Sequence, residues 1–156
     1  MTQPHQTLLR RLEQLVSTPS VSSTQTEWDQ GNIGVINLLA QWLKDMGFEV
    51  QVIPLQERGD KANLIATLGK GPGGLVFSGH TDTVPYDDAR WNTDPFTLNQ
   101  ADGRLYGLGV TDMKGFFPIA LEAARGLDAK LLKAPLIILA TADEESSMDG
   151  ARQLVR

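Results

Sequence analysis

An imidazole and a carboxylate stand two residues apart in Gly79-His80-Thr81-Asp82-Thr83-Val84-Pro85, directly after the apolar run Leu75-Val76-Phe77-Ser78. In an extended segment, positions two apart share a side. A carboxylate placed there can accept the second ring N–H of a metal-bound histidine, which fixes the tautomer and raises ligand basicity. Two further acidic positions follow. Asp112 precedes Met113-Lys114-Gly115, and Asp143-Glu144-Glu145 follows Leu136-Ile137-Ile138-Leu139-Ala140. In open α/β sheets, ligands bind outside the carboxyl ends of the strands. His80 and these acids therefore suggest a metal centre. Asp112 could bridge two cations. Of the adjacent pair Glu144 and Glu145, one side chain could ligate while the other faces a water as general base.

Plainer readings exist for each. Asp112 at the mouth of a helix suits an N-cap. Glu144 and Glu145 suit helix-start charges favoured by the macrodipole. Two neighbouring carboxylates after a buried strand nevertheless repel, unless a cation lies between them or one binds a proton.

Composition narrows the chemistry. The chain has 156 residues, 41% hydrophobic, enough for one domain with a core. A formal net charge of −5 without a Lys/Arg run argues against nucleic acid or an anionic membrane as partner. No cysteine is present, so disulfides, thiolate metal sites and a Cys nucleophile are excluded. The polar start Met1–Gln6 lacks a signal-peptide core, no segment reaches membrane-span length, and a cytoplasmic location is expected. His5 reads as an ordinary polar residue. Gly-x-Ser-x-Gly is absent, which removes the nucleophile elbow. Gly69, Gly71, Gly73 and Gly74 join two strands rather than opening a helix, which argues against a phosphate loop. Trp91 and Phe96 read as packing aromatics.

The elements that would position these groups follow from periodicity. Leu8, Leu9, Leu12, Leu15 and Val16 predict a helix over 7–16, stopped near Thr18 by Pro19. Ser17–Thr26 is polar and turn-rich. A helix is expected over 29–46 with Ile33, Ile36, Leu39, Ala40 and Leu43 on one face and Gly47 as its left-handed end. Residues 48–52 alternate as a half-exposed strand, and 63–68 form another. Leu75–Ser78 reads as a fully buried strand of a parallel sheet. A hairpin is expected around Ala101-Asp102-Gly103. Helix follows over 114–127, a second buried strand after Pro135, and a helix over 149–156 whose pattern is still running at Arg156. The alternation predicts a layered α/β domain with a central, largely parallel sheet flanked by helices, the front part of something longer.

These motifs have a family resemblance. Gly79–Pro85, Arg90-Trp91, Asp94-Pro95-Phe96, Leu105–Gly109, Asp112–Gly115 and Thr141–Glu145, in this order and spacing, resemble the dinuclear-zinc amidohydrolase and peptidase family over essentially the whole chain. The resemblance implies a zinc-peptidase fold. It implies that His80 binds one metal and Asp82 orients it, and that Asp112 bridges both metals with a cis peptide to Met113. It implies that Glu144 is the general base and Glu145 a ligand of the second metal. It further implies two divalent cations (zinc, with cobalt also suited), a small N-acyl amino acid as substrate, and metal-dependent amide hydrolysis. Two further ligands and a lid domain carrying the dimer contact are expected outside these 156 residues, so the chain is expected to be inactive alone. Thr111 stands where relatives more often carry Ala or Ser.

Overall fold

In the computed structural model, residues 3–56 and 58–155 are described. The expected ends of the chain, Met1 and Thr2 of the polar start and Arg156 of the last helix, lie outside them. Helix α1 (Gln3–Val16) turns Leu12, Leu15 and Val16 inward, as their spacing predicts. Helix α2 (Ile33–Asp45) buries Val35, Ile36, Leu39, Ala40 and Leu43. It starts four residues later than expected, because Asp29 and Asn32 are engaged elsewhere. Asp29 accepts from the Ser23 amide, Arg58 and Lys61, and the Asn32 side chain bonds both backbone groups of Ala62. Ile33 is consequently half-exposed at the helix entrance. Gly47, at φ 86°, ends α2, and the Gly47 and Phe48 amides bond back to Lys44 and Leu43.

The main sheet contains β1 (Glu49–Leu55), β2 (Arg58–Leu68), β3 (Leu75–His80) and β6 (Leu136–Thr141), in the order β1-β2-β6-β3. The layered α/β class is as expected, but the sheet is mixed. β1–β2 and β2–β6 are antiparallel, and only β3–β6 is parallel. A second correction concerns β3. The run 75–78 is not fully buried: Leu75 is 58% and Val76 50% exposed. The strand lies at the sheet edge with only β6 beside it, and hydrophobicity alone does not distinguish an edge from a centre. An apolar groove of about 430 Å³ runs along it, between Leu75, Phe77, Leu127 and Leu132. β6 is an interior strand, and its side chains alternate between buried and half-buried.

The expected hairpin forms between β4 (Asn99–Ala101) and β5 (Arg104–Tyr106), with Asp102 and Gly103 both at positive φ, the geometry of a tight two-residue turn. Helix α3 (Phe116–Ala124) is shorter than 114–127 at both ends. Lys114 is drawn away at the front, and Gly126 at φ 78° breaks the chain behind. Helix α4 (Asp149–Leu154) follows β6. The core is where α1, α2 and α3 meet β2 and β6, around Leu15, Leu39, Leu64, Phe117 and Ile138. No helix among the described residues is long and apolar enough to cross a membrane.

Candidate metal centre

The centre sits past the ends of the parallel pair. His80 is the last residue of β3, opposite Thr141 of β6. Gly79 before it is required by packing: a Cβ there would meet the Phe116 ring at 2.8 Å and Met113 at 3.0 Å. Beyond His80 the chain stays extended, clamped against the polar stretch after α1. Val21 bridges Thr83, Ser22 N–H donates to Thr83 O at 2.8 Å, and Ser20 Oγ donates to Thr81 O at 2.7 Å. Thr81 is buried, donating to Thr141 O and accepting from Asn32. The extended segment therefore cannot rotate, and His80 and Asp82 share a side.

His80 Nδ1 donates to the Asp82 carbonyl at 3.1 Å and lies 3.6 Å from Asp82 Oδ1. His80 Nε2 is 3.0 Å from Asp112 Oδ1 and 3.9 Å from Glu144 Oε2. Burial opposes a charge on the ring, but the Asp82 and Asp112 carboxylates outweigh it and push the imidazole up to about 9. Asp82 is buried; burial works against its charge, and the His80 ring and the Glu145 N–H, which reaches Oδ2 at 3.0 Å, hold it below the usual carboxylate range. Its other oxygen, Oδ1, is buried with no hydrogen-bond partner among the described residues.

The Asp112–Met113 peptide is cis, as the resemblance implies. Asp112 is not an N-cap: α3 begins four residues later, after Gly115, and the Asp112 side chain is 72% exposed. Its loop is tethered by Lys114. That side chain crosses the core, 1% exposed, to donate to Leu15 O at 3.0 Å and Thr18 O at 2.7 Å, carbonyls at and just beyond the end of α1. Burial pushes this ammonium down to about 8, against the pull of Asp82. Nothing in its sequence context distinguished Lys114 from an ordinary helix-start lysine.

The third cluster divides. Asp143, at the end of β6 with φ 60°, turns away from the centre to Lys61 and Ser22 and is buried. Glu144 and Glu145 face the centre. One ligand atom from each of His80, Glu144 and Glu145 lies within 4.8 Å of the others, the one such group among the described residues. Asp112 adjoins this group through His80. Burial first, then the nearby charges of Asp112, Glu144 and Asp82, raise the Glu145 carboxyl above its usual range.

These residues fit a divalent cation on three observations. Carboxylates crowd here and, with burial, raise the Glu145 carboxyl, a repulsion that a cation relieves. His80 Nε2 and Asp112 Oδ1 stand 3.0 Å apart, where a metal would compete for the same lone pairs. The orphaned Asp82 Oδ1 beside Nδ1 is the acceptor a ligating histidine uses to set its tautomer. An imidazole and carboxylates are a donor set for zinc, cobalt or manganese rather than for thiolate-seeking metals.

Comparison with known proteins shows what the chain is similar to. Residues 76–156 match the profile of peptidase family M20/M25/M40. The chain is 56% identical over 139 residues to the acetylornithine deacetylase of Photorhabdus laumondii, covering 89% of this chain and 36% of that one. It is 54% identical to the acetylornithine deacetylase of Proteus mirabilis, covering 94% and 38% respectively. The chain thus spans little more than a third of the length of these curated relatives. Among solved structures, human carnosine dipeptidase 1 superposes with a TM-score of 0.76 at 25% identity, over 95% of this chain and 34% of that one. The di-peptidase Dug1p of Saccharomyces cerevisiae superposes with a TM-score of 0.72 at 20% identity, over 97% and 35%.

Proposed function

This chain belongs to peptidase family M20/M25/M40, and we propose that it forms the N-terminal part of a metal-dependent catalytic domain. In the whole protein that domain hydrolyses the amide of N-acetyl-L-ornithine to ornithine and acetate, a step of arginine biosynthesis in the cytoplasm. The observation that carries the reading is the convergence of His80, Glu144 and Glu145 within 4.8 Å, beside Asp112. The identity to two acetylornithine deacetylases supports the substrate. So do Thr83–Asp88, Tyr106–Gly109 and Lys114–Phe117, which look most like that branch.

His80, Asp112 and Glu145 would hold two divalent cations, zinc first and cobalt second, with Asp112 shared between them. When bound, such cations lower the pKa of a water towards neutrality and polarise the acyl carbonyl. Asp82 keeps the His80 ring in one orientation and ties the Glu145 backbone to it. Glu144, half-exposed and aimed at the centre, accepts the proton of the attacking water and passes it to the departing amine. Atoms balance: water supplies the hydroxyl of acetate and the proton of the new amine. Contacts to the ornithine moiety, the remaining metal ligands and a dimerising lid domain lie outside these 156 residues. Without those ligands, this chain alone is inactive.

In the whole protein, Glu144→Gln retains metal while turnover of N-acetyl-L-ornithine falls by about 100-fold or more. Near-normal turnover would remove Glu144 from the base role. Robust zinc-dependent deacetylation by the 156 residues alone would overturn their inactivity. The superposition on human carnosine dipeptidase 1 favours a second reading, dipeptide hydrolysis, and the deacetylase branch equally neighbours desuccinylation of succinyl-diaminopimelate. Relative turnover of the three substrates separates them.

A further inference from the structure

A buried cation takes no part in the chemistry above. Lys61 is 2% exposed, and its Nζ donates to Asp29 Oδ1 at 2.7 Å and to Asp143 Oδ1. Asp143 Oδ1 also accepts from Ser22 Oγ at 3.0 Å. At this residue the chain turns from β6 towards Glu144 and Glu145. Its φ of 60° is a left-handed conformation that few residues besides glycine, Asn and Asp adopt. The turn is closed by the Asp143 carbonyl, which receives the Met148 N–H at 2.6 Å and the Ser146 N–H at 3.4 Å. Two residues on, the Glu145 N–H is fixed to Asp82. The direction of the Glu144–Glu145 pair is therefore set at both sides: by Asp82 in front and by the Asp143 turn behind.

We propose that Lys61 is a positioning residue for Glu144 and Glu145, acting through Asp143. The inference rests on the amide-hydrolase reading for its purpose, and on the buried triad for its geometry. A compact ammonium with three rotatable donors suits a closed slot between two carboxylates. Its second carboxylate, Asp29, comes from the polar stretch before α2. That stretch also carries Ser20 and Ser22, which clamp the His80–Thr83 segment. Lys61 thereby ties the acid-bearing turn to the strap that holds the imidazole. The two ligand-bearing segments keep one spacing through it.

The test uses the whole protein that contains these residues, with zinc binding followed by calorimetry and backbone amide exchange followed by NMR. Lys61→Met is expected to weaken zinc binding by about 10- to 100-fold, the range for loss of a group that orients ligands. It should also speed exchange at the Glu145 and Met148 amides more than at Leu64 and Ile138 in the sheet. Unchanged zinc affinity and unchanged exchange at those two amides would overturn the proposal. So would acceleration of equal size across the sheet, which marks lost stability alone. Should Lys61→Met not fold, Asp143→Asn carries the test: it weakens the link from Lys61 to the turn and leaves the ammonium paired with Asp29. Selective acceleration at Glu145 and Met148 supports positioning, and its absence refutes it. A wild-type chain that binds no zinc, or binds it equally after His80→Ala, defeats the metal reading instead. The exchange measurement then still decides what Lys61 does.

Discussion

The candidate centre has two unlike halves. The His80 and Asp82 side chains are 7% and 3% exposed, whereas those of Asp112 and Glu144 are 72% and 47% exposed. The first half stands on a strand end, pinned by Ser20, Ser22, Asn32 and Thr81. The second stands on loops, anchored from beneath by buried lysines: Lys114 below the Asp112 loop, and Lys61 below the Glu144 turn through Asp143. The difference separates two tasks. Orientation of a ligand is secured where water is excluded and hydrogen bonds are strong. Carboxylates that must meet a cation, a water and a substrate remain open.

Asp82→Ala probes the buried half hardest. It leaves the Glu145 N–H without its acceptor, so stability should fall by about 1–3 kcal/mol, and zinc affinity by about 10- to 100-fold. Urea unfolding and calorimetry read the two effects. A variant that loses neither would show that the halves are not energetically distinct. Asp112→Asn probes the open half. Its exposed carboxylate predicts a stability change within about 0.5 kcal/mol, with zinc affinity, to which Asp112 would contribute as a direct ligand, lowered at least as much as in Asp82→Ala. A large loss of stability there would erase the contrast.

The mildest effect is one of pH, in the strap that braces the buried half. Burial disfavours the Asp29 charge, but Lys61 and Arg58 overcome this and hold the carboxyl below its ordinary value of 3.8. Its folded pKa is depressed. The stability it contributes is therefore fully present above 3.8 and is lost as pH falls through the lowered value. Asp29→Asn should flatten the decline of the urea midpoint below about pH 4. An unchanged acid slope would show that the strap draws nothing from this charge.

Legibility in the sequence follows the same division. His80 with Asp82, the acids 112, 144 and 145, the turn at Asp102-Gly103 and the Gly47 helix end were all visible, because each is a local pattern with a local cause. Hidden were the residues whose partners are remote. Asp143 looked like one more acid in a cluster, Lys114 like a helix-start lysine, Asp29 like the first residue of α2, and Ser17–Thr26 like a plain loop. Lys61 lies 32 residues from Asp29 and 82 from Asp143, Thr18 lies 96 from Lys114, and Ser22 lies 121 from Asp143 along the chain.

Residue chemistry and short spacings thus specified the donor set, the exclusion of thiolate and nucleophilic-serine chemistry, and most element types, since these depend on neighbours within a turn or a pleat. Sheet order did not follow from them. Leu75–Ser78 and Leu136–Ala140 are equally apolar, yet one is an exposed edge and the other an interior strand. Nor did the sequence reveal which charges are buried, because a buried lysine is tolerated only where distant carbonyls or carboxylates meet it, and that meeting exists only after the chain has packed.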